Sequence, residues 1–186
     1  MKGVIFTLLL EMVDDAFGPE VTEKIIDDSD LPSGGVYTSV GTYEHSEIVS
    51  LVTNLSKATK VAVPDLIRTF GNHLLGQFYR LYPEFFEDID DVLSFLELVD
   101  DYIHREVLKL YPDAKLPKIE TQRLADGGLK LIYKSDRMMG DLAEGLIAGA
   151  IDHFGGGYIS TRNDVEQGGP EQCVHFTIKA KTKLAA

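Results

Sequence analysis

The sequence predicts an α+β fold, with a helical N-terminal part followed by a C-terminal part built on an antiparallel sheet. Three observations predict it. Apolar residues recur at helical spacing as far as Tyr111, short alternating stretches replace them after Pro112, and Asp126, Gly127 and Gly128 separate two of those stretches as a hairpin turn does.

Taken in order, the opening "MKGVIFTLLL" is a basic residue followed by an apolar run, as in a short signal peptide. Glu11, Asp14 and Asp15 then follow, no small-residue cleavage site appears, and the run is far shorter than the ~20 residues that cross a membrane. Residues 2–17 therefore read as a buried amphipathic helix, and the protein as cytoplasmic with no membrane partner. Further helices are expected at 19–28, 44–60, 64–80 and 88–111, separated by the breakers "GP", "LPSGG", "VP" and "YP". Beyond Pro112, "KIETQRLA" and "LKLIYKS" form the expected hairpin, "MGDLAEGLIAGAIDHF" a helix, and "YISTRNDV" and "CVHFTIKAK" two more strands. A boundary between Pro112 and Pro117 divides a single domain, 1–186, into a helical subdomain of roughly 1–111 and an α/β subdomain of roughly 112–186 that meet over a shared interior.

Composition narrows the function. A chain of 186 residues, 44% of them hydrophobic, is long enough for one substantial core. With 18 basic against 30 acidic residues, its net charge of −12 repels nucleic-acid phosphates and anionic lipid. Cys173 is the only cysteine, so no internal disulfide forms, and this favours a reducing compartment. Cys173 and His175 alternate on one strand, but structural zinc sites usually take four ligands.

Two clusters carry chemistry. On the 88–111 helix, Val92, Leu96, Val99, Ile103, Val107 and Leu110 make an apolar stripe with His104 on its flank. Taken alone, His104 reads as a helix histidine paired with Asp100 or Asp101 one turn back. About 30 residues on, "YKSDR" places Tyr133, Ser135 and Arg137 at alternate positions, so an extended chain carries a phenol, a hydroxyl and a guanidinium on one side. Taken alone, this trio is a polar strand end. Together the clusters match the needs of haem: one axial nitrogen, and charge-matched partners for two propionates.

With these residues the sequence resembles the haem nitric oxide/oxygen binding (H-NOX) domain, the family of the sensor domain of soluble guanylate cyclase. The family's Tyr-x-Ser-x-Arg motif corresponds to Tyr133, Ser135 and Arg137, and its proximal histidine to His104. "MKG" with Ile5, the pair Leu116 and Pro117, and "EGLIAG" extend the likeness over the whole chain. The resemblance implies haem b (iron protoporphyrin IX) clamped between the two parts, His104 on the iron, the trio on the propionates, and Ile5 and Pro117 against the macrocycle. From the residues alone, Pro117 is equally loop punctuation before a strand. Gly71, Gly145 and Gly149 admit close approach of haem or helices, with close helix packing the reading for the last two.

The resemblance also places Leu142, Leu9 and Leu74 around the gas, where oxygen-binding members carry a tyrosine and its polar support. Bound O₂ draws electron density outward and gains from a donor, whereas NO needs none. These three leucines thus imply a dry, donor-free pocket for nitric oxide (also CO), with His73 outside it. The chain reaches Ala186 with no pattern for an output domain, so the resemblance implies a separate signalling protein such as a histidine kinase or a cyclic-di-GMP enzyme, and no catalysis by this chain. Two alternatives stay open: a haem-free protein-interaction module, and an O₂-binding haem sensor. An enzyme built on His73, Asp100 or Asp101 and Arg137 lacks any phosphate loop or nucleophile motif.

Overall fold

The computed structural model describes residues 1–166 and 169–182. Four helices come first: α1 (Gly3–Phe17), α2 (Pro19–Asp27), α3 (His45–Thr59) and α4 (Val63–Leu81). Gly18 takes φ 88° and turns the chain between α1 and α2, and Pro19 starts α2 where no backbone donor is needed. In α1, Phe6, Leu9, Met12 and Val13 recur at helical spacing and are buried against Ile25 of α2, Leu51 and Leu55 of α3, and Phe70 of α4. The buried Glu47 carboxylate, in the first turn of α3, accepts the Ser33 and Tyr37 hydroxyls, the latter at 2.9 Å. That contact pins the loop before α3, and burial pushes the Tyr37 phenol up to about 12.

The expected 88–111 helix is corrected in two places. Asp91 caps the helix by accepting the Leu93 and Ser94 amides at 2.9 and 3.1 Å, so α5 begins at Val92 (Val92–Leu98). The ladder then widens into a π turn over Val99–His104 before α6 (Arg105–Leu110). π turns of this kind concentrate at functional positions.

The C-terminal part follows expectation closely: β1 (Lys118–Arg123), β2 (Leu129–Ser135), α7 (Gly140–His153), β3 (Tyr158–Val165) and β4 (Gln172–Ala180). The four strands form one antiparallel sheet in the order β1-β2-β4-β3, with Leu131 opposite Phe176 and Tyr133 opposite Val174. The inner face of the sheet, Leu129, Leu131, Tyr133, Val174, Phe176 and Ile178, packs on α5 and α7 as a second core.

α7 lies against α4, and glycine is what lets the backbones approach. A Cβ on Gly71 would sit 2.5 Å from the Leu142 carbonyl oxygen, and one on Gly145 would collide with the Arg68 carbonyl. Close helix packing thus explains Gly71 and Gly145, and Gly149, whose added Cβ would lie 3.1 Å from the Asn72 carbonyl oxygen, extends it. Arg162 on β3 joins Asp141 and Glu144 of α7 at 2.6 and 2.9 Å, and Arg68 of α4 joins the same Asp141 at 3.1 Å. Among the described residues no helix is long and apolar enough to cross a membrane.

Candidate functional site

A cavity of about 670 Å³ lies between the two cores, within the range of sites for sizeable organic ligands. The apolar stripe read from the sequence forms part of its wall: Leu96, Val99, Ile103, Val107 and Leu110 face it. Leu96 is buried in the second core, Val99 and Ile103 pack against it, and Leu110 at the end of α6 keeps 61% of its surface.

His104 closes the π turn and lines the same wall. Its Nδ1 lies 3.0 Å from Asp100 Oδ1, which also accepts the Ile119 amide of β1 at 3.4 Å. The pairing with Asp100 foreseen as the ordinary reading is therefore present, and it is compatible with ligation. A neutral imidazole that donates through Nδ1 keeps its Nε2 lone pair for a metal.

Tyr133, Ser135 and Arg137 all line this cavity. The route differs from strand alternation for the third of them. β2 ends at Ser135, whose Oγ accepts the Arg137 amide at 3.1 Å, and the resulting turn brings Arg137 round to the cavity, where its Nη1 donates to the Lys115 carbonyl at 2.9 Å. Tyr133 is buried, and burial raises its phenol, with the Ser135 hydroxyl and the Met139 backbone acting the other way. Ile5 and Pro117 also reach the wall, Pro117 from the loop just before β1.

Leu74 and Leu142 line the cavity, but Leu9 does not; it is 1% exposed within the α1–α4 core. Of the expected trio, the fold brings Leu74 and Leu142 to the wall and leaves Leu9 in the adjoining core. His73 is likewise off the wall, its Nε2 3.3 Å from the Gln77 amide one turn on. Nor is the cavity as a whole free of donors, because Tyr82 and Tyr111 contribute phenols to it. Burial, then the neighbouring Tyr111 phenol, raises the Tyr82 phenol.

Sequence reasoning missed His45. It stands at the first position of α3, lines the cavity near Arg137, and its Nε2 is buried with no hydrogen-bond partner among the described residues. Burial lowers its pKa, and the Arg137 charge adds to the effect. Two histidines and an apolar wall gave no sequence signal of their meeting. Cys173 and His175 sit on β4 away from the wall, and no cluster of three or more His, Cys, Asp or Glu suited to a metal occurs among the described residues.

These parts fit a haem. An imidazole with one nitrogen already oriented serves iron, apolar walls suit the macrocycle, and the hydroxyls, guanidinium and partnerless His45 Nε2 gather where carboxylates need donors.

Comparison with known proteins agrees. The family described as haem-NO-binding matches residues 2–158 of the chain. The chain is 37% identical to an Fe(II) unliganded H-NOX protein from K. algicida, over 100% of both chains at TM-score 0.84. It is 35% identical to the IWP-051-bound H-NOX from Shewanella woodyi in the Fe(II)CO state, covering 100% of this chain and 97% of that one at TM-score 0.82. An H-NOX protein from S. oneidensis in the Fe(II)NO state is 29% identical over 98% of this chain and 100% of that one, at TM-score 0.86. No curated protein matches the chain.

Proposed function

This chain belongs to the haem-NO-binding (H-NOX) family of haem-based gas sensors, and from that premise we propose that it holds haem b on His104, takes nitric oxide (and CO) without stably binding O₂, and signals to a separate protein. The observation that carries the reading is a single cavity wall on which His104, with Nδ1 engaged by Asp100, faces the same space as Tyr133, Ser135 and Arg137. When bound, the haem supplies a ferrous iron with one position open to a diatomic gas.

Each residue then has a physical task. His104 gives one neutral nitrogen to the iron. Arg137 exchanges its bond to the Lys115 carbonyl for a charge-assisted pair with a propionate, and Tyr133 and Ser135 donate hydroxyls beside it. Ile5 and Pro117 press apolar surface against the macrocycle, so residues of roughly 1–111 and 112–186 clamp it as two subdomains. Leu74 and Leu142 offer a gas no hydrogen bond, which favours NO over O₂.

Signalling requires two arrangements that a partner distinguishes. The π turn carrying His104 is the element suited to change between them, because it joins the ligand to α5, α6 and, through Asp100, β1. A histidine kinase or a cyclic-di-GMP enzyme is the partner class proposed. An oxygen-sensing reading draws support from the Tyr82 and Tyr111 phenols on the cavity wall. Exposing the reduced protein to NO and to air while following the Soret band separates the two readings: a shift with NO alone supports the NO sensor, and a stable shift in air supports the oxygen sensor.

A further inference from the structure

We propose that Asp100 is a positioning residue that sets the strength of the His104–iron bond and so governs how readily His104 lets go. The inference rests on the haem reading above and deepens it. Three features of the fold carry it.

The first is geometry. Asp100 Oδ1 stands 3.0 Å from His104 Nδ1, so the ring nitrogen away from the iron has a carboxylate acceptor rather than a neutral one. A carboxylate in that position fixes the tautomer and orientation of a metal-bound histidine and makes its other nitrogen more basic. The second is the backbone. Both residues belong to the Val99–His104 π turn, whose wider ladder closes on i→i+5 rather than i→i+4. Asp100 and His104 stand four positions apart within that turn, so one short segment holds both the acceptor and the ring, and a change in the turn alters their geometry.

The third is the link to the sheet. The same Oδ1 takes the Ile119 amide at 3.4 Å, so one carboxylate spans the iron ligand and the start of β1. A second, smaller and more open pocket of about 410 Å³ is lined by Asp100, Asp101, His104 and Arg105 together with Leu116 and Pro117 of the loop before β1. The His104 ring therefore borders this pocket as well as the main cavity, and Asp100 makes the one hydrogen bond to it among the described residues. Asp101, the neighbouring carboxylate, makes no hydrogen bond to the ring among the described residues, so the effect belongs to Asp100 alone.

The test is resonance Raman spectroscopy of the reduced, haem-loaded full chain, reading the iron–histidine stretch in the unmodified protein, Asp100→Asn, Asp100→Ala and Asp101→Asn. The expected result is a stretch shifted to lower frequency in the order Asp, Asn, Ala, with Asp101→Asn unshifted, and a larger fraction of five-coordinate spectrum after NO in the same order. Asp100→Asn keeps the size and an acceptor oxygen, so it reports even where Asp100→Ala lowers the melting temperature. An unshifted stretch in Asp100→Asn and Asp100→Ala, with only thermal stability reduced, overturns the proposal and leaves Asp100 a helix-surface partner. A protein that takes up no haem at all overturns the haem reading itself, a failure visible before any variant is made.

Discussion

Replacing Gly71 with alanine puts the close packing of α4 on α7 to the test. In an exposed helix interior the change stabilises by about 1 kcal/mol, because glycine loses more backbone freedom on folding than alanine. Here the new Cβ would sit 2.5 Å from the Leu142 carbonyl oxygen and 2.9 Å from both Gly145 Cα and Leu146 N. All three are backbone atoms of α7, so no side chain can rotate away, and relief requires α7 to move. Overpacking of this kind costs about 1–3 kcal/mol, and the backbone character of the contacts places it at the upper end. The net effect is a loss of about 1–2 kcal/mol, read as a fall of about 2–4 °C in melting temperature per kcal/mol at this chain length. Gly76 on the same helix is the control: nothing lies within 4 Å of its added Cβ, and Gly76→Ala should stabilise. The displaced helix carries Leu142 and Leu146 on the cavity wall, so CO affinity should shift in Gly71→Ala and not in Gly76→Ala. Equal stabilisation by both substitutions would refute the packing argument.

Three further outcomes are expected. Arg137→Ala should speed haem transfer to an acceptor protein by about tenfold, and Tyr133→Phe by less, since a bond to a charged group is worth about 1.5–3 kcal/mol and a neutral one about 1; equal, unchanged transfer rates count against both as propionate contacts. Leu142→Tyr should move the protein toward O₂ binding, by up to about tenfold because Leu74 gives the new phenol no support and its own desolvation costs about 1–3 kcal/mol; an O₂ titration that reads the same in both proteins contradicts this. Burial and Arg137 hold the His45 pKa below its ordinary 6.5, so the unfolded chain binds the proton first, and stability is complete above that value and falls as pH drops through it. Denaturant unfolding at about pH 7.5 and about pH 5.5 should therefore show a drop that shrinks in His45→Asn, and an undiminished drop removes His45 as its source.

Much of this was legible because the signals were local. Breakers such as Gly18–Pro19 and the Asp126–Gly128 turn mark element ends by backbone preference alone, and the helices and strands they bound fall within a few residues of expectation. The π turn was not legible. The spacings from Val92 to Leu110 mix threes and fours and average to an ordinary helix, so one widened turn leaves no trace in the apolar pattern. Which residues of α1 meet the cavity was not legible because "VIFTLLLEMV" is apolar on nearly every face, and only packing decides that Ile5 lines the cavity while Leu9 packs with Phe70 and its neighbours. Arg137 was placed on the right wall by an incomplete argument, since alternation ends at Ser135 and a side-chain-bonded turn completes the path. His45 acquires meaning only through burial near Arg137, a residue distant in sequence.

The most direct measurement is the absorption spectrum of the reduced, purified protein beside that of His104→Gly, with and without added imidazole. Haem held by His104 predicts an intense Soret band in the unmodified protein, its loss or displacement in His104→Gly, and its return when imidazole enters the space the ring has left. An unaltered five-coordinate spectrum in His104→Gly without imidazole would contradict His104 as the iron ligand.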